Sequence, residues 1–282
     1  MRHNSPLRYP GGKACLSPFL ANIITRNSLS GCVYYEPYAG GAGAALTLLR
    51  QDVVSELYLN DADYRVAAFW HAALHESDQF VERIRTVPLT IEEWRRQHTI
   101  CSQPLRHAKF DVGFAAFFMN RCNRSGVLTG AGPIGGYEQK GEWRMDVRFN
   151  RETLTERILA VAALKEKIHV SCKDAIMFLK KQLPPGRGRD KVFVYLDPPY
   201  VNNGQRLYLN AYEPKNHSQL AHYLKEQNVL TWIVSYDDSE LVRGLYSDHN
   251  IKQLPLRYSL QNKRAASELV ISPHYVSTGT CQ

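Results

Sequence analysis

Four short runs of β-branched and aromatic residues, each closing on an acid or a glycine turn, constrain this chain more than any other feature. CVYYEP (32–37) leads into YAGGAGAALTLL, ELYLND (56–61) ends on Asn-Asp, VFVYL (192–196) leads into DPPY, and LTWIVSYDD (230–238) ends on paired acids. None carries a helical period, and runs of this kind form strands buried on both faces of a sheet. Between the first two lies AALTLLRQ, helical in pattern, followed by a turn at Asp52. Strand, helix, strand at that spacing predicts the βαβ unit of a doubly wound α/β sheet.

Size permits more than one such body. With 282 residues and 44% apolar composition, the chain can bury one large α/β core and a smaller appended domain. Over residues 62–165 the texture changes to helical stretches (DQFVERIRT, IEEWRRQH, FDVGFAAFFMN) and then to the Gly-rich, aromatic and basic passage NRCNRSGVLTGAGPIGGYEQKGEWRMDVRFN (120–150). That passage is too long for an ordinary loop in a compact domain. The sequence therefore predicts a discontinuous core, residues 1–61 and 166–282, with an inserted lobe between. PPGRGRDK (184–191) reads as an exposed turn before the strand that delivers DPPY.

No run approaches the ~18 consecutive apolar residues of a membrane span, and the opening MRHNSPLRYPGGK lacks a signal peptide's apolar stretch, so a cytoplasmic protein is expected. The cysteines, at 15, 32, 101, 122, 172 and 281, form no C-x-x-C pair. They predict neither a metal site nor a disulfide framework, but reduced and mostly buried thiols. Lys and Arg number 35 against 27 Asp and Glu, a net charge of +8. Such an excess suits a polyanionic partner, because each neutralised phosphate releases counterions.

Within this frame, EPYAGGAGAAL (36–46) sits where a strand passes into a helix. Glycine lets the backbone approach a ligand closely, and the helix N-terminus offers free N–H groups. The turn lacks the G-x-G-x-x-G dinucleotide pattern, since Gly41 and Gly43 are followed by Ala44, Ala45 and Leu46. By itself it fits a nucleoside-cofactor loop or a bare tight turn equally well. Asp61 closes the next strand 18 residues after Gly43, where related folds hold a ribose hydroxyl pair. Asp61 or Asp63 could instead cap the following helix.

DPPY (Asp197, Pro198, Pro199, Tyr200) carries the most chemistry. An amine conjugated to a purine is a poor nucleophile because its lone pair is delocalised into the ring. A carboxylate and the carbonyl of the following Pro can each accept one amine N–H and localise that pair on nitrogen. The prolines stiffen the turn, and Tyr200 offers a flat face to an extruded base. Placement after VFVYL puts the tetrapeptide at the carboxyl end of a strand, where open α/β sheets bind ligands. The alternative is a rigid strand-exit turn. PLRYPGGK (6–13) places an aromatic and a lysine around Pro-Gly-Gly; it is no phosphate loop, since Lys13 is followed by Ala14. It reads as a segment closing over a cofactor, with Lys13 pairing the cofactor's carboxylate and Tyr9 packing nearby, or as a surface turn.

Taken in order, PLRYPGGK, EPYAGGAG, YLND and DPPY, with a lobe between the third and fourth, resemble the Dam-type DNA adenine methyltransferases over nearly the whole chain. FFMNRCNRSG (117–126), the SYD of WIVSYD (235–237) and SELVIS (267–272) share the likeness. The resemblance implies a Rossmann-like methyltransferase fold, a doubly wound mixed sheet with an inserted, mainly helical target-recognition domain. It implies S-adenosylmethionine as cofactor, S-adenosylhomocysteine as product and no metal. It also implies a flipped adenine in double-stranded DNA as substrate. Carried over by motif, Asp197, Pro198, Pro199 and Tyr200 are catalytic. Tyr9, Lys13, Asp61 and Asp197 border the cofactor, with Glu36, Pro37, Tyr38, Ala39, Gly40 and Gly41 beneath its methionine end and Asp174, in HVSCKDA, pairing with its adenine. Arg121, Asn123, Arg124, Lys140, Arg144 and Arg148 are expected on DNA, Arg being suited to guanine edges and phosphates. Where GATC-reading members carry an NRYGYNG-like turn, this chain has NRCNRSG, with Arg124 at an aromatic's place, so another target is expected. The expected setting is bacterial or phage cytoplasm, alone or beside a restriction or defence component.

Related chemistries compete. Methylation of a cytosine amine, of RNA or of a glutamine amide needs similar acceptors, but Asp ahead of Pro-Pro and the motif order favour adenine in DNA. Cytosine ring methylation needs a thiolate, and the chain has no Pro-Cys dipeptide. A DNA-binding relative that has lost catalysis is the rival of a different class.

Overall fold

A computed structural model of the chain describes residues 5–8, 13–201, 212–256 and 266–279. The four apolar runs form β1 (Cys32–Glu36), β2 (Val54–Asn60), β4 (Val192–Leu196) and β5 (Thr231–Asp237). With β3 (Ile168–Ser171), β6 (Asn250–Leu256) and β7 (Ala266–Ser272) they make one seven-stranded sheet in the order β3-β2-β1-β4-β5-β7-β6. Pairing is parallel from β2 through β1 and β4 to β5, while β7 runs antiparallel to both β5 and β6. The sheet is thus mixed, as the resemblance implied. All five β4 residues are buried, which is why their sequence shows no alternation of polar and apolar positions.

Strand order decides where a ligand can sit. From β1 the chain proceeds to β2 on one side, then returns to lay β4 on the other. Loops leaving the carboxyl ends of β1 and β4 diverge, and the crevice at such a reversal is where doubly wound sheets bind ligands.

The chain divides into two compact units. One comprises Lys13–Ala39, Ala44–Ala62 and Lys173–Gln282. Its core gathers Tyr35, Val194, Leu196, Trp232, Val234, Tyr236 and Leu269 with Phe178 and Leu179 of α8 (Ala175–Gln182) and Leu220 and Leu224 of α9 (Pro214–Lys225). The other comprises Met1–Gly12, Gly40–Gly43 and Asp63–Cys172. The three predicted helices appear there as α4 (Ser77–Thr86), α5 (Ile91–Ser102) and α6 (Lys109–Cys122). They accompany α3 (Tyr64–His75) and α7 (Arg151–Ala162). Helices α3 and α6 meet closely at Gly113, where a Cβ would lie 2.5 Å from the Ala68 carbonyl oxygen. Phe69, Phe80, Phe114 and Phe117 pack around that crossing, with Phe69 and Phe117 stacked at 6.0 Å. Among the described residues no helix is long and apolar enough to cross a membrane. Cys32, Cys101 and Cys122 are buried and Cys15 and Cys172 exposed; Cys281 lies outside the described residues.

Candidate active site

The carboxyl ends of β1, β2 and β4 deliver Glu36, Asp61 and Asp197. Asp61 immediately follows β2, and the capping work downstream falls to Asp63, whose side chain accepts from Arg65 N at 3.0 Å and pairs with the Arg65 guanidinium. Asn60, 1% exposed, ties three loops together. Its Nδ2 donates to the carbonyls of Pro37 (3.0 Å) and Lys173 (2.9 Å), and its Oδ1 accepts from Lys173 N (3.0 Å). Its own carbonyl accepts from Ala39 N at 2.8 Å. Asp174, one residue along from Lys173, caps α8 by accepting from Ile176 N and Met177 N through Oδ1.

The Pro37–Ala42 turn reaches α2 (Gly43–Arg50) with Gly40 and Ala42 both at φ 45°. Glycine meets that geometry without cost, whereas it is uncommon for a residue with a side chain. Within the unit to which Gly40 and Gly41 belong, the Trp70 indole donates to the Gly40 carbonyl at 2.9 Å and Ser5 Oγ to that of Gly41 at 2.5 Å. Tyr38 Oη lies 2.6 Å from the Tyr212 hydroxyl, their rings edge to face at 5.9 Å.

The DPPY turn is held from β5. Ser235 Oγ donates to Asp197 Oδ1 at 3.0 Å and lies 2.8 Å from the Tyr195 hydroxyl, while Asp237 Oδ1 accepts from Val201 N at 2.9 Å. Two residues of the SYD motif therefore clamp the turn at both ends. Lys13 Nζ stands 3.3 Å from Asp197 Oδ1 and donates to the Tyr200 hydroxyl and to Glu268 Oε1. Glu268, a carboxylate of β7 buried at 2% exposure, thus stands beside Lys13.

Burial raises the carboxyls here, and the Asp197 charge adds to the rise of Glu36. Burial and then the Asp197 charge hold Glu36 well above the ordinary carboxylate range. The Tyr34 phenol nearby pulls the other way, yet neither it nor Glu36 Oε2 completes a hydrogen bond in geometry. Burial also raises Asp197, opposed by Lys13 and Ser235. Oδ1 of Asp197 is thus occupied by two donors, and no donor among the described residues reaches Oδ2.

Glu36, Asp61, Asp197 and Glu268 gather carboxyl groups in excess of the Lys13 ammonium that lies against Asp197 and Glu268. That donor set fits S-adenosylmethionine, whose sulfonium and ammonium both seek carboxylates and whose ribose diol seeks an acid such as Asp61. Among the described residues no group of His, Cys, Asp and Glu is arranged to hold a metal. Tyr9 lies outside the described residues.

The residues expected on DNA separate into two sets. Arg124, Lys140, Arg144 and Arg148 are exposed. Arg121 is buried at 4% exposure, donates to the Pro6 carbonyl, and is lowered to about 9 by burial and then by Arg157. Asn123 is fully buried, accepting from the Trp94 indole at 2.8 Å and donating to the Val127 carbonyl at 2.7 Å. Asn123 thereby shapes the loop that displays Arg124. Sequence reasoning singled out neither Asn60, Ser235, Asp237 nor Glu268 for a role, although YLND, WIVSYD and SELVIS were the segments that contain them.

A comparison with curated proteins gave no match. Residues 9–260, most of the chain, match the family of D12 class N6 adenine-specific DNA methyltransferases. The strand-end carboxylates, the clamped DPPY turn and this match agree, and the chain belongs to the D12 class N6 adenine-specific DNA methyltransferases.

Proposed function

We propose that the protein carries the methyl group of S-adenosylmethionine to the N6 amine of an adenine flipped out of double-stranded DNA. Asp197 carries this reading. Its inner oxygen is taken by Lys13 and Ser235, which leaves Oδ2 to accept one amine N–H. The Pro198 carbonyl accepts the other, so that the nitrogen lone pair localises as the bond to carbon forms. Pro199 stiffens the turn, and the Tyr200 ring, its hydroxyl on Lys13, stacks on the extruded base. Asp197 can then take the proton the amine gives up, a task its raised pKa favours.

When bound, the cofactor supplies the electrophilic methyl group. Glu36, Pro37, Tyr38, Ala39, Gly40, Gly41, Asp61 and Asp174 would hold it, Asp61 at the ribose and Asp174 toward the adenine. Residues 62–165 serve as the target-recognition lobe, with Arg124, Lys140, Arg144 and Arg148 on phosphates or base edges. Arg124 in NRCNRSG supports a target other than GATC.

The test is Asp197→Asn, nearly isosteric, assayed on unmethylated plasmid DNA with labelled S-adenosylmethionine. Turnover should fall at least about 10²-fold, the cost of removing one preorganised electrostatic contact. Rates near the parent enzyme would remove Asp197 from the mechanism.

A further inference from the structure

Glu268 stands opposite Asp237 of β5 in the antiparallel register. A buried glutamate is costly unless its charge is matched, and here its partner is an equally buried lysine, Lys13. That ammonium has three donors, with Glu268 Oε1, the Tyr200 hydroxyl and Asp197 Oδ1 all in reach. Two of those acceptors lie at opposite ends of DPPY. The third belongs to a different strand, β7. Without Glu268, Lys13 would lose the carboxylate that opposes Asp197 and would draw toward Asp197, away from the Tyr200 hydroxyl. The electron density that Asp197 offers the amine would fall as a result.

We propose that Glu268 is a positioning residue for methyl transfer, anchoring the Lys13 ammonium midway so that the Asp197 carboxylate and the Tyr200 ring keep one relative geometry. The inference rests on the reading of Asp197 as amine acceptor. Burial lifts Glu268 to about 7, with Asp197 adding to the rise and Lys13 opposing it, so its charge depends on the lysine it holds. A purely structural ion pair would contribute stability and leave the rate of chemistry alone.

The experiment measures single-turnover methylation of unmethylated plasmid DNA, with saturating S-adenosylmethionine, for the full-length protein, Glu268→Gln, Lys13→Met and the double variant. Cofactor and DNA dissociation constants are measured beside each rate. Glu268→Gln should slow methyl transfer about 30-fold, the scale of a misplaced catalytic group, with both dissociation constants within about threefold of the parent. Because Glu268 acts through Lys13, the double variant should be no slower than Lys13→Met alone. An unchanged rate in Glu268→Gln, or effects that multiply in the double variant, overturns the proposal. Should Glu268→Gln fail to fold, Glu268→Asp keeps the charge one methylene short; a slowed rate with normal binding supports the proposal, and the parent rate refutes it. Asp197→Asn run alongside separates the two readings. If it is inactive while Glu268→Gln matches the parent, only the positioning role falls; if it turns over normally, the acceptor reading itself falls.

Discussion

Asn60→Ala should damage stability and cofactor binding together, because one buried side chain joins the loops that carry three site residues. The amide makes three hydrogen bonds, to the Pro37 carbonyl and to both backbone groups of Lys173. Each contributes about 1 kcal/mol net, and backbone groups stripped of partners cost somewhat more. At 1% exposure water cannot readily replace them, so a loss of about 3–4 kcal/mol is expected, a large share of a typical domain's 5–15 kcal/mol. Urea unfolding monitored by circular dichroism reads the first effect. Calorimetric titration with S-adenosylmethionine reads the second, an expected weakening of about tenfold as Glu36, Asp61 and Asp174 lose their common frame. Asn60→Asp sharpens the test. It keeps an acceptor for Lys173 N but turns a carboxylate toward two carbonyl oxygens, so it should be at least as harmful as Ala. A loss below 1 kcal/mol in Asn60→Ala, or an Asp variant close to the parent, would refute the claim that this amide ties the loops.

Ser235→Ala removes a hydroxyl that holds Asp197 below where burial alone would put it, so the acid limb of the single-turnover rate should move to higher pH. The sign follows from the acceptor role: activity needs the carboxylate and is lost as pH falls through its pKa, which loss of the serine raises. An unmoved limb would disconnect Ser235 from Asp197. Gly113→Ala should destabilise the protein by about 2–4 kcal/mol in thermal or urea unfolding, because its Cβ would meet the Ala68 carbonyl at 2.5 Å. A midpoint equal to the parent's would mean the α3–α6 crossing relaxes freely.

Much of the catalytic half was legible because it is written in contiguous residues. A strand buried on both faces must be apolar throughout, so VFVYL declared β4 without reference to anything distant, and DPPY followed it at the strand's end. The same local logic found β1, β2 and β5 and the helices of the middle section. It was weaker where two acids competed for one duty: Asp61 and Asp63 were equivalent cap candidates in sequence, and only the bond from Arg65 N assigns the cap to Asp63.

What escaped the sequence is what depends on pairing across long separations. Lys13 meets Glu268 across 255 positions, and Asn60 meets Lys173 across 113; nothing near either residue announces the partner. Arg121 and Arg124 stand three apart in one basic turn and read alike, yet one is buried against a backbone carbonyl and the other exposed. The reason is geometric. Arg121 lies in the last turn of α6, a helix whose residues from Val112 to Cys122 are all buried, whereas Arg124 follows the Asn123 cap where the helix ends. A charge on such a helix can be placed only once the surrounding fold is known, whereas a strand-end carboxylate is placed by the strand itself. The candidate site's carboxylates sit at strand ends and were therefore visible, while the arrangement of the basic residues around α6 depends on helix packing and was not.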